Sequence, residues 1–151
     1  MKYKKRRNWK YRLWVDTCFK TPILGLDTAN EFISLAKDGL LIVRAGYCWD
    51  GPSGPTIDSA SVMRGPLAHD ALYQLMREGL IPRKLKKNAD KFMYQCILED
   101  VEEIARRKAG FIRRKFKKIN RKWSKFRANY FYKGVLKFGA SSTKSDLRTA
   151  P

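Results

Sequence analysis

Apolar and polar residues alternate in the first third of the chain. Residues 9–21 place apolar or β-branched side chains at every second position: Trp9, Tyr11, Leu13, Val15, Thr17, Phe19 and Thr21. This period of two predicts one strand, which Pro22 ends. Further on, apolar runs at 32–35 and 40–43 flank Asp38-Gly39, and Asp-Gly between such runs predicts a hairpin. We therefore expect a small N-terminal antiparallel sheet.

The spacing of apolar residues becomes helical after residue 61. Over residues 62–78 it forms one stripe: Met63, Leu67, Ala71, Leu72, Leu75 and Met76. The stripe predicts a helix with Pro66 in its first turn and Gly79 as its C-cap. A second helix is predicted over 88–108, with Asn88 as its N-cap.

A third predicted helix, residues 111–130, is amphipathic and strongly basic. Its apolar stripe consists of Ile112, Phe116, Ile119, Trp123, Phe126 and Tyr130. The helix could pack on the core with a solvated basic face, lie on an anionic membrane, or bind phosphate backbones. The candidate membrane- or nucleic-acid-binding residues are Arg113, Arg114, Lys117, Lys118, Arg121, Lys122 and Lys125.

These elements predict the organisation of the 151 residues. Residues 1–8 form a basic arm, residues 9–139 a single α+β domain, and residues 140–151 a loose polar tail. Residues 46–61 are rich in glycine, proline and serine and predict a long, ordered loop before the first helix. Residues 131–139 are expected to be a short strand or a packed tail.

The charge of the chain restricts its partners. A formal net charge of +19, from 33 basic and 14 acidic residues, predicts an anionic partner. A membrane, nucleic acid and an acidic protein all fit, and the oligomeric state is left open. The three cysteines suggest neither a disulfide framework nor a zinc site. The sequence also lacks a signal peptide and a membrane-spanning run, so we expect synthesis in a cytoplasm.

The single histidine, His69, lies in the segment His69-Asp70-Ala71-Leu72-Tyr73. His69 and Tyr73 are four residues apart and therefore share one helix face. An imidazole titrates near neutral pH, which makes His69 a candidate general base. The alternative is a buried structural histidine with a satisfied hydrogen bond.

Residues 46–98 resemble phospholipase A2. That family combines a glycine-rich calcium loop, a helix with H-D-x-C-Y, and a second helix whose aspartate faces the histidine. Here a loop precedes His69-Asp70-Ala71-Leu72-Tyr73, and the second helix opens with Ala89-Asp90, six residues before Cys96. The short link between the helices is similar to the disulfide-free phospholipase domains of parvovirus capsids. The D-G-x-S-x-P motif at 50–55, followed by H-D-x-L-Y, also resembles small phage proteins.

The resemblance implies a role for each matching residue. His69 would activate the water that attacks an sn-2 ester, Asp90 would fix the imidazole tautomer, and Tyr73 would hydrogen-bond Asp90. Ca²⁺ would be the cofactor and would polarise the ester carbonyl. The candidate metal residues are Asp70, Tyr47, Trp49, Gly51 and Asp50.

This loop departs from the family pattern, because Trp49 stands where the family has a glycine. Two functions follow from the sequence. The first is a phage-type, calcium-dependent phospholipase A2-like hydrolase at a bacterial membrane. The second is a non-enzymatic phage virion or accessory protein of the same fold, whose basic surface contacts DNA or other virion proteins. We expect synthesis in the host cytoplasm for both.

Overall fold

A computed structural model describes residues 3–5, 11–51 and 63–109, together with positions 126, 129, 130 and 133. Seven strands precede two helices within these residues. The strands are β1 (Tyr3–Lys5), β2 (Tyr11–Leu13), β3 (Thr17–Lys20), β4 (Thr28–Ala29), β5 (Ile33–Leu35), β6 (Leu40–Val43) and β7 (Cys48–Trp49). The helices are α1 (Arg64–Arg77) and α2 (Lys86–Ala109). The mixed architecture confirms the predicted α+β class.

The strands form two antiparallel sheets. One sheet has the order β1-β2-β7 and the other the order β3-β6-β5-β4. The predicted Asp38-Gly39 hairpin is confirmed, because β5 and β6 pair with Leu35 opposite Leu41. Gly39 has φ +82 and lies against backbone oxygens of residues 21 and 23, so a side chain there would be both strained and obstructed.

The single strand predicted over residues 9–21 is wrong. The chain turns between β2 and β3, and the two strands belong to different sheets. The Asp16 carboxylate accepts a hydrogen bond from the Ala45 backbone N–H at 2.8 Å, which fixes this turn. Val15 lies at an odd-numbered position, as the buried residues Tyr11, Leu13 and Phe19 do, but it is exposed. The alternation of apolar residues therefore continues through the turn and does not reveal where the first strand ends.

Two further boundaries differ from those predicted. Residues 3–5 of the basic arm are strand β1, because their backbone pairs with β2 in the register Tyr3 opposite Leu13. Residues 48–49 of the predicted loop form β7, which pairs with the other edge of β2. Residues 52–61 of that loop and the tail 140–151 lie outside the described residues.

The helix α1 matches the prediction closely. Pro66 lies in its first turn, where a missing backbone N–H costs no helical hydrogen bond. Gly79 follows its end with φ +73, and the Leu80 N–H donates to the Leu75 carbonyl at 2.9 Å. This is the left-handed glycine termination expected at residue 79.

The helix α2 begins earlier than predicted. A 3₁₀ turn at Arg83–Leu85 leads directly into α2 at Lys86, so Asn88 lies inside the helix and is not its N-cap. The two helices run antiparallel, since the start of α1 meets the later part of α2. Arg64 bonds Asp100 there, and a side chain added at Gly65 would collide with the Met93 carbonyl.

The inner face of the four-stranded sheet and the two helices share one core. The strands contribute Phe19, Ile33, Leu35, Leu41 and Val43, and the helices contribute Leu67, Ala71, Leu72, Ala89 and Cys96. The Phe19 and Phe92 rings meet edge to face, with centroids 6.4 Å apart. This core fixes α1 and α2 relative to each other, which matters for the polar residues between them.

Most of the predicted third helix lies outside the described residues, and so do all seven of its candidate basic binding residues. Positions 126, 129, 130 and 133 are helical, so of the two alternatives expected for residues 131–139 a strand does not hold at Lys133. Phe126 and Tyr130 are exposed, which of the three alternatives for this helix counts against packing of these two side chains on the core.

Candidate functional site

A buried carboxylate, Asp90, joins the two helices beside the histidine. The distance from His69 Nε2 to Asp90 Oδ1 is 3.0 Å. The Tyr73 hydroxyl donates to the same oxygen at 2.6 Å. The residue Asp90 is 0% exposed, and His69 is 6% exposed. The predicted geometry of His69 facing Asp90, with Tyr73 beside them, is therefore confirmed.

Lys86 binds the second oxygen of Asp90. Its ammonium group donates to Asp90 Oδ2 at 2.8 Å and lies 5.9 Å from the centre of the Tyr73 ring. Both carboxylate oxygens are thus hydrogen-bonded, as a buried charge requires. Sequence reasoning missed Lys86, although its i, i+4 spacing from Asp90 would have indicated the pair if α2 had been expected to begin there.

These contacts follow from helical spacing. His69 and Tyr73 are one turn apart on α1, and their ring centroids are 3.8 Å apart. Lys86 and Asp90 are one turn apart on α2. Because the helices are antiparallel and meet closely at Gly65, both pairs face the same interhelical space. We call His69, Tyr73, Lys86 and Asp90 the interhelical array.

The array favours an ionised aspartate and a defined histidine tautomer. Burial alone would raise the pKa of Asp90, but hydrogen bonds from His69, Lys86 and Tyr73 outweigh it and lower that pKa. An ionised carboxylate only accepts hydrogen bonds. The proton therefore resides on His69 Nε2, and in the neutral ring the lone pair belongs to Nδ1.

Next to the Nδ1 atom of His69 lies Asp70, which is partly exposed to solvent. The distance from Nδ1 to the nearer Asp70 oxygen is 3.6 Å, and the Asp70 side chain is 34% exposed. Burial raises the pKa of Asp70 despite the neighbouring His69. The charge of Asp50 also acts to raise the pKa of Asp70.

The His69 ring lies between two carboxyl groups, which favours its protonated form. Burial acts to lower the pKa of His69, but hydrogen bonds and charges from Asp70 and Asp90 outweigh it and raise the pKa above 6.5.

The raised pKa predicts how His69 contributes to stability. A histidine whose pKa is higher in the folded than in the unfolded protein stabilises the fold fully below pH 6.5, and this contribution is lost as the pH rises through the folded-state value. The free energy of unfolding of the wild type, relative to His69→Gln, should therefore be larger at pH 6 than at pH 9. Urea denaturation of both proteins across this range measures the difference, and a constant difference would contradict the raised pKa.

The predicted calcium site fits only in part. The Tyr47 carbonyl accepts the Leu13 N–H at 2.8 Å. Trp49, two residues after Tyr47, lies opposite Tyr11 in the pairing of β7 with β2. Hydrogen-bonded pairs recur at every second residue of an antiparallel pair of strands, so Trp49 and Tyr11 also exchange backbone hydrogen bonds. Both carbonyls therefore point into the sheet and not toward Asp70.

The local reason is the strand β7, which replaces the open loop that the resemblance implies. Trp49 is buried against the Tyr11 ring, with centroids 5.6 Å apart. Gly51 has φ +74 and also lies against Tyr11. No group of three or more His, Cys, Asp or Glu side chains that could hold a metal occurs among the described residues. Tyr47 and Trp49 do not fit the site, while Asp70, Asp50 and Gly51 remain candidate ligands.

The three cysteines, Cys18, Cys48 and Cys96, are free thiols. Within the residues that the structure describes, no helix is long and apolar enough to cross a bilayer.

Comparison of the chain with protein-family models, curated proteins and solved structures gives no match.

Proposed function

We propose that the protein is a phospholipase A2-like ester hydrolase in which His69 acts as the general base. The contact of His69 Nε2 with the buried Asp90 carboxylate carries the proposal. It is supported by the Tyr73 and Lys86 contacts, which fix the carboxylate on both oxygens. A base held in one tautomer by a buried acid is the arrangement that hydrolases of several folds use.

The reaction needs one water and one acyl ester. Nδ1 of neutral His69 removes a proton as the water oxygen bonds to the acyl carbon, and the carbonyl electrons move to oxygen. The tetrahedral intermediate collapses when the bond to the alkoxide breaks, and the imidazolium returns its proton to the leaving alcohol. Asp90 stabilises the transient imidazolium without taking its proton.

Access to the reactive nitrogen is expected from the Asp70 side. The opposite edge of the ring is closed by Asp90, which has no exposed surface. Asp70 is the partly exposed neighbour of Nδ1, so a water beside it is placed to lose its proton to His69. Calcium binding by Asp70, with Asp50 and the Gly51 carbonyl, stays a prediction, and no step above depends on it.

The net charge supports an anionic phospholipid membrane as the location of the substrate. A bacterial membrane and a phage origin are part of this proposal, because they rest on the resemblance of residues 50–73 to small phage proteins.

A second candidate function is a non-enzymatic virion or accessory protein, with DNA or virion proteins as partners. The specific observation that favours it is the 6% exposure of His69. In this case the interhelical array stabilises the helix pair and the basic surface makes the contacts.

A lipid-hydrolysis assay distinguishes the two candidates. The protein is incubated with anionic phospholipid vesicles, and fatty-acid release from the sn-2 position is measured with added CaCl₂ and with EDTA. The hydrolase proposal expects release in at least one condition, and the comparison tests calcium. No release above a protein-free control in either condition, from protein shown to be folded, would favour the accessory protein.

A further inference from the structure

Two turns form one corner of the molecule. The β2–β3 turn, residues 14–16, and the β6–β7 turn, residues 44–47, lie side by side. Asp16 accepts the Ala45 N–H at 2.8 Å, and the Gly46 N–H donates to the Leu13 carbonyl at 2.9 Å. The backbone of the corner is therefore held by hydrogen bonds, and its side chains are displayed from a defined base.

The corner exposes apolar side chains. Trp14 is 62% exposed and its neighbour Val15 is 37% exposed. Leaving a tryptophan in water forgoes one of the largest burial gains available to a side chain. Val15 lies in the same turn, which the hydrogen bond between Asp16 and Ala45 holds. Exposed apolar side chains on a rigid turn, such as Trp14 and Val15, indicate a surface that binds a membrane or another molecule.

Two arginines belong to the strand and the turn that carry this corner. Arg12 is exposed one residue before Leu13 and shares the outward parity of Trp14. Arg44 is exposed on the adjoining turn. Neither arginine forms an ion pair with another described residue, and the backbone register places Lys4 opposite Arg12. The one acid within the β2–β3 turn, Asp16, already accepts the Ala45 N–H.

An anionic bilayer fits this combination better than other partners do. Tryptophan favours the headgroup region of a membrane, and arginines beside it meet the lipid phosphates. A nucleic acid would use the arginines and could stack on Trp14, but it gains nothing from Val15. An acidic peptide would pair with the arginines, but it would not account for the exposed Trp14 and Val15.

We propose that the corner formed by Trp14, Val15, Arg12 and Arg44 docks the protein on an anionic phospholipid bilayer, with Trp14 and Val15 inserted at the headgroup level. This docking proposal rests on the proposed function, which identifies the substrate as a phospholipid. It adds to that function the residues that contact the membrane. The docking itself requires no hydrolysis and is tested separately.

The test uses vesicles that cannot be hydrolysed. Ether-linked phosphatidylglycerol mixed with ether-linked phosphatidylcholine is sedimented with the full chain at 0.15 M and 0.5 M salt. We expect Trp14→Ala/Val15→Ser to weaken binding by at least about tenfold at both salt concentrations, because insertion of apolar groups is not screened. Arg12→Gln/Arg44→Gln should weaken binding by about fivefold per arginine at 0.15 M salt and by less at 0.5 M.

The chain offers matched controls. Leu24 is 66% exposed and lies next to Gly39, at the opposite end of the four-stranded sheet from the corner. Leu24→Ser should bind vesicles as the wild type does, and so should Arg83→Gln/Lys84→Gln on the exposed 3₁₀ turn. Trp14→Gln alone serves if the double variant does not fold, and thermal unfolding verifies every variant.

Several results would overturn the docking proposal. The first is that the wild type binds anionic and neutral vesicles equally. The second is that a folded Trp14 variant binds anionic vesicles as tightly as the wild type does. The third is that this variant loses duplex DNA binding tenfold while its vesicle binding is unchanged. The His69→Gln variant should bind the ether lipids normally. Failure of hydrolysis with retained docking would therefore contradict the catalytic proposal alone.

Discussion

Replacing His69 with glutamine is expected to lower ester hydrolysis by about 10²–10⁴-fold, which is the usual contribution of a general base. The glutamine amide can still donate a hydrogen bond to Asp90, but it has no basic nitrogen to accept a proton from water. The initial rate of fatty-acid release from phospholipid vesicles, per folded molecule, measures this loss.

The matched control is Gln74→Ala, also on α1. The Gln74 side chain donates to Glu78 at 2.7 Å and makes no hydrogen bond to the side chains of the interhelical array. We expect its hydrolysis rate to equal that of the wild type. If His69→Gln also hydrolyses at the wild-type rate, His69 is not the general base, and the catalytic role assigned to it is wrong.

The pH dependence of hydrolysis should be opposite to that of stability. The base is active when Nδ1 is unprotonated, so the rate should rise through the raised pKa of His69. The stabilisation by the imidazolium is lost over that same range. The protein would therefore be most active where His69 stabilises it least, a conflict expected when a functional group is placed for chemistry and not for stability.

Parts of the fold could be predicted because their causes are local. The apolar stripe of α1, Pro66 in its first turn and Gly79 after its end are all encoded within one segment. The Asp38-Gly39 hairpin depends on neighbouring residues in the same way. The α+β class followed from these elements without any knowledge of how they pack.

The parts that sequence reasoning missed depend on distant partners. The break between β2 and β3 is fixed by a hydrogen bond from Ala45, 29 residues away from Asp16, while the alternation continues through it. The Tyr47 carbonyl is occupied by Leu13, which no pattern around residue 47 reveals. The loop in the resemblance and the strand β7 in the structure differ for this reason.

The interhelical array was predictable in three of its four members. The positions of His69 and Tyr73 follow from helical spacing, and Asp90 followed from the resemblance to phospholipase A2. Lys86 is the exception, because the sequence pattern predicts that the second helix begins at Asn88. The 3₁₀ turn at Arg83–Leu85 leads into a helix that begins two residues earlier, at Lys86. This start lets the Lys86 ammonium group donate a hydrogen bond to Asp90.

Removing the carboxylate at the centre of the array should have the largest effect on stability. Asp90→Ala would leave the Lys86 charge, the His69 ring and the Tyr73 hydroxyl without their shared partner. Breaking a buried ion pair from one side typically costs about 3–5 kcal/mol, so we expect a loss of this size in the free energy of unfolding. Urea denaturation at pH 7 measures it.

Asp90→Asn separates the positioning of His69 from the stability of the helix pair. The asparagine oxygen still accepts from Tyr73 or His69, but its amide turns a donor toward the Lys86 ammonium. We expect a smaller loss of stability, of about 1–3 kcal/mol, and a fall in hydrolysis comparable to that of His69→Gln, because the neutral side chain cannot hold the imidazolium.

The control for this variant is Asp100→Asn. Asp100 is also a largely buried aspartate of α2 that bonds a basic residue of α1, Arg64, but it lies outside the interhelical array. Asp100→Asn should lose stability while each folded molecule hydrolyses at the wild-type rate. If Asp90→Asn behaves in the same way, Asp90 supports only the helix pair and its assigned role toward His69 is wrong. If the two aspartates differ as expected, the difference cannot arise from stability, since both substitutions remove a buried carboxylate from one helix interface.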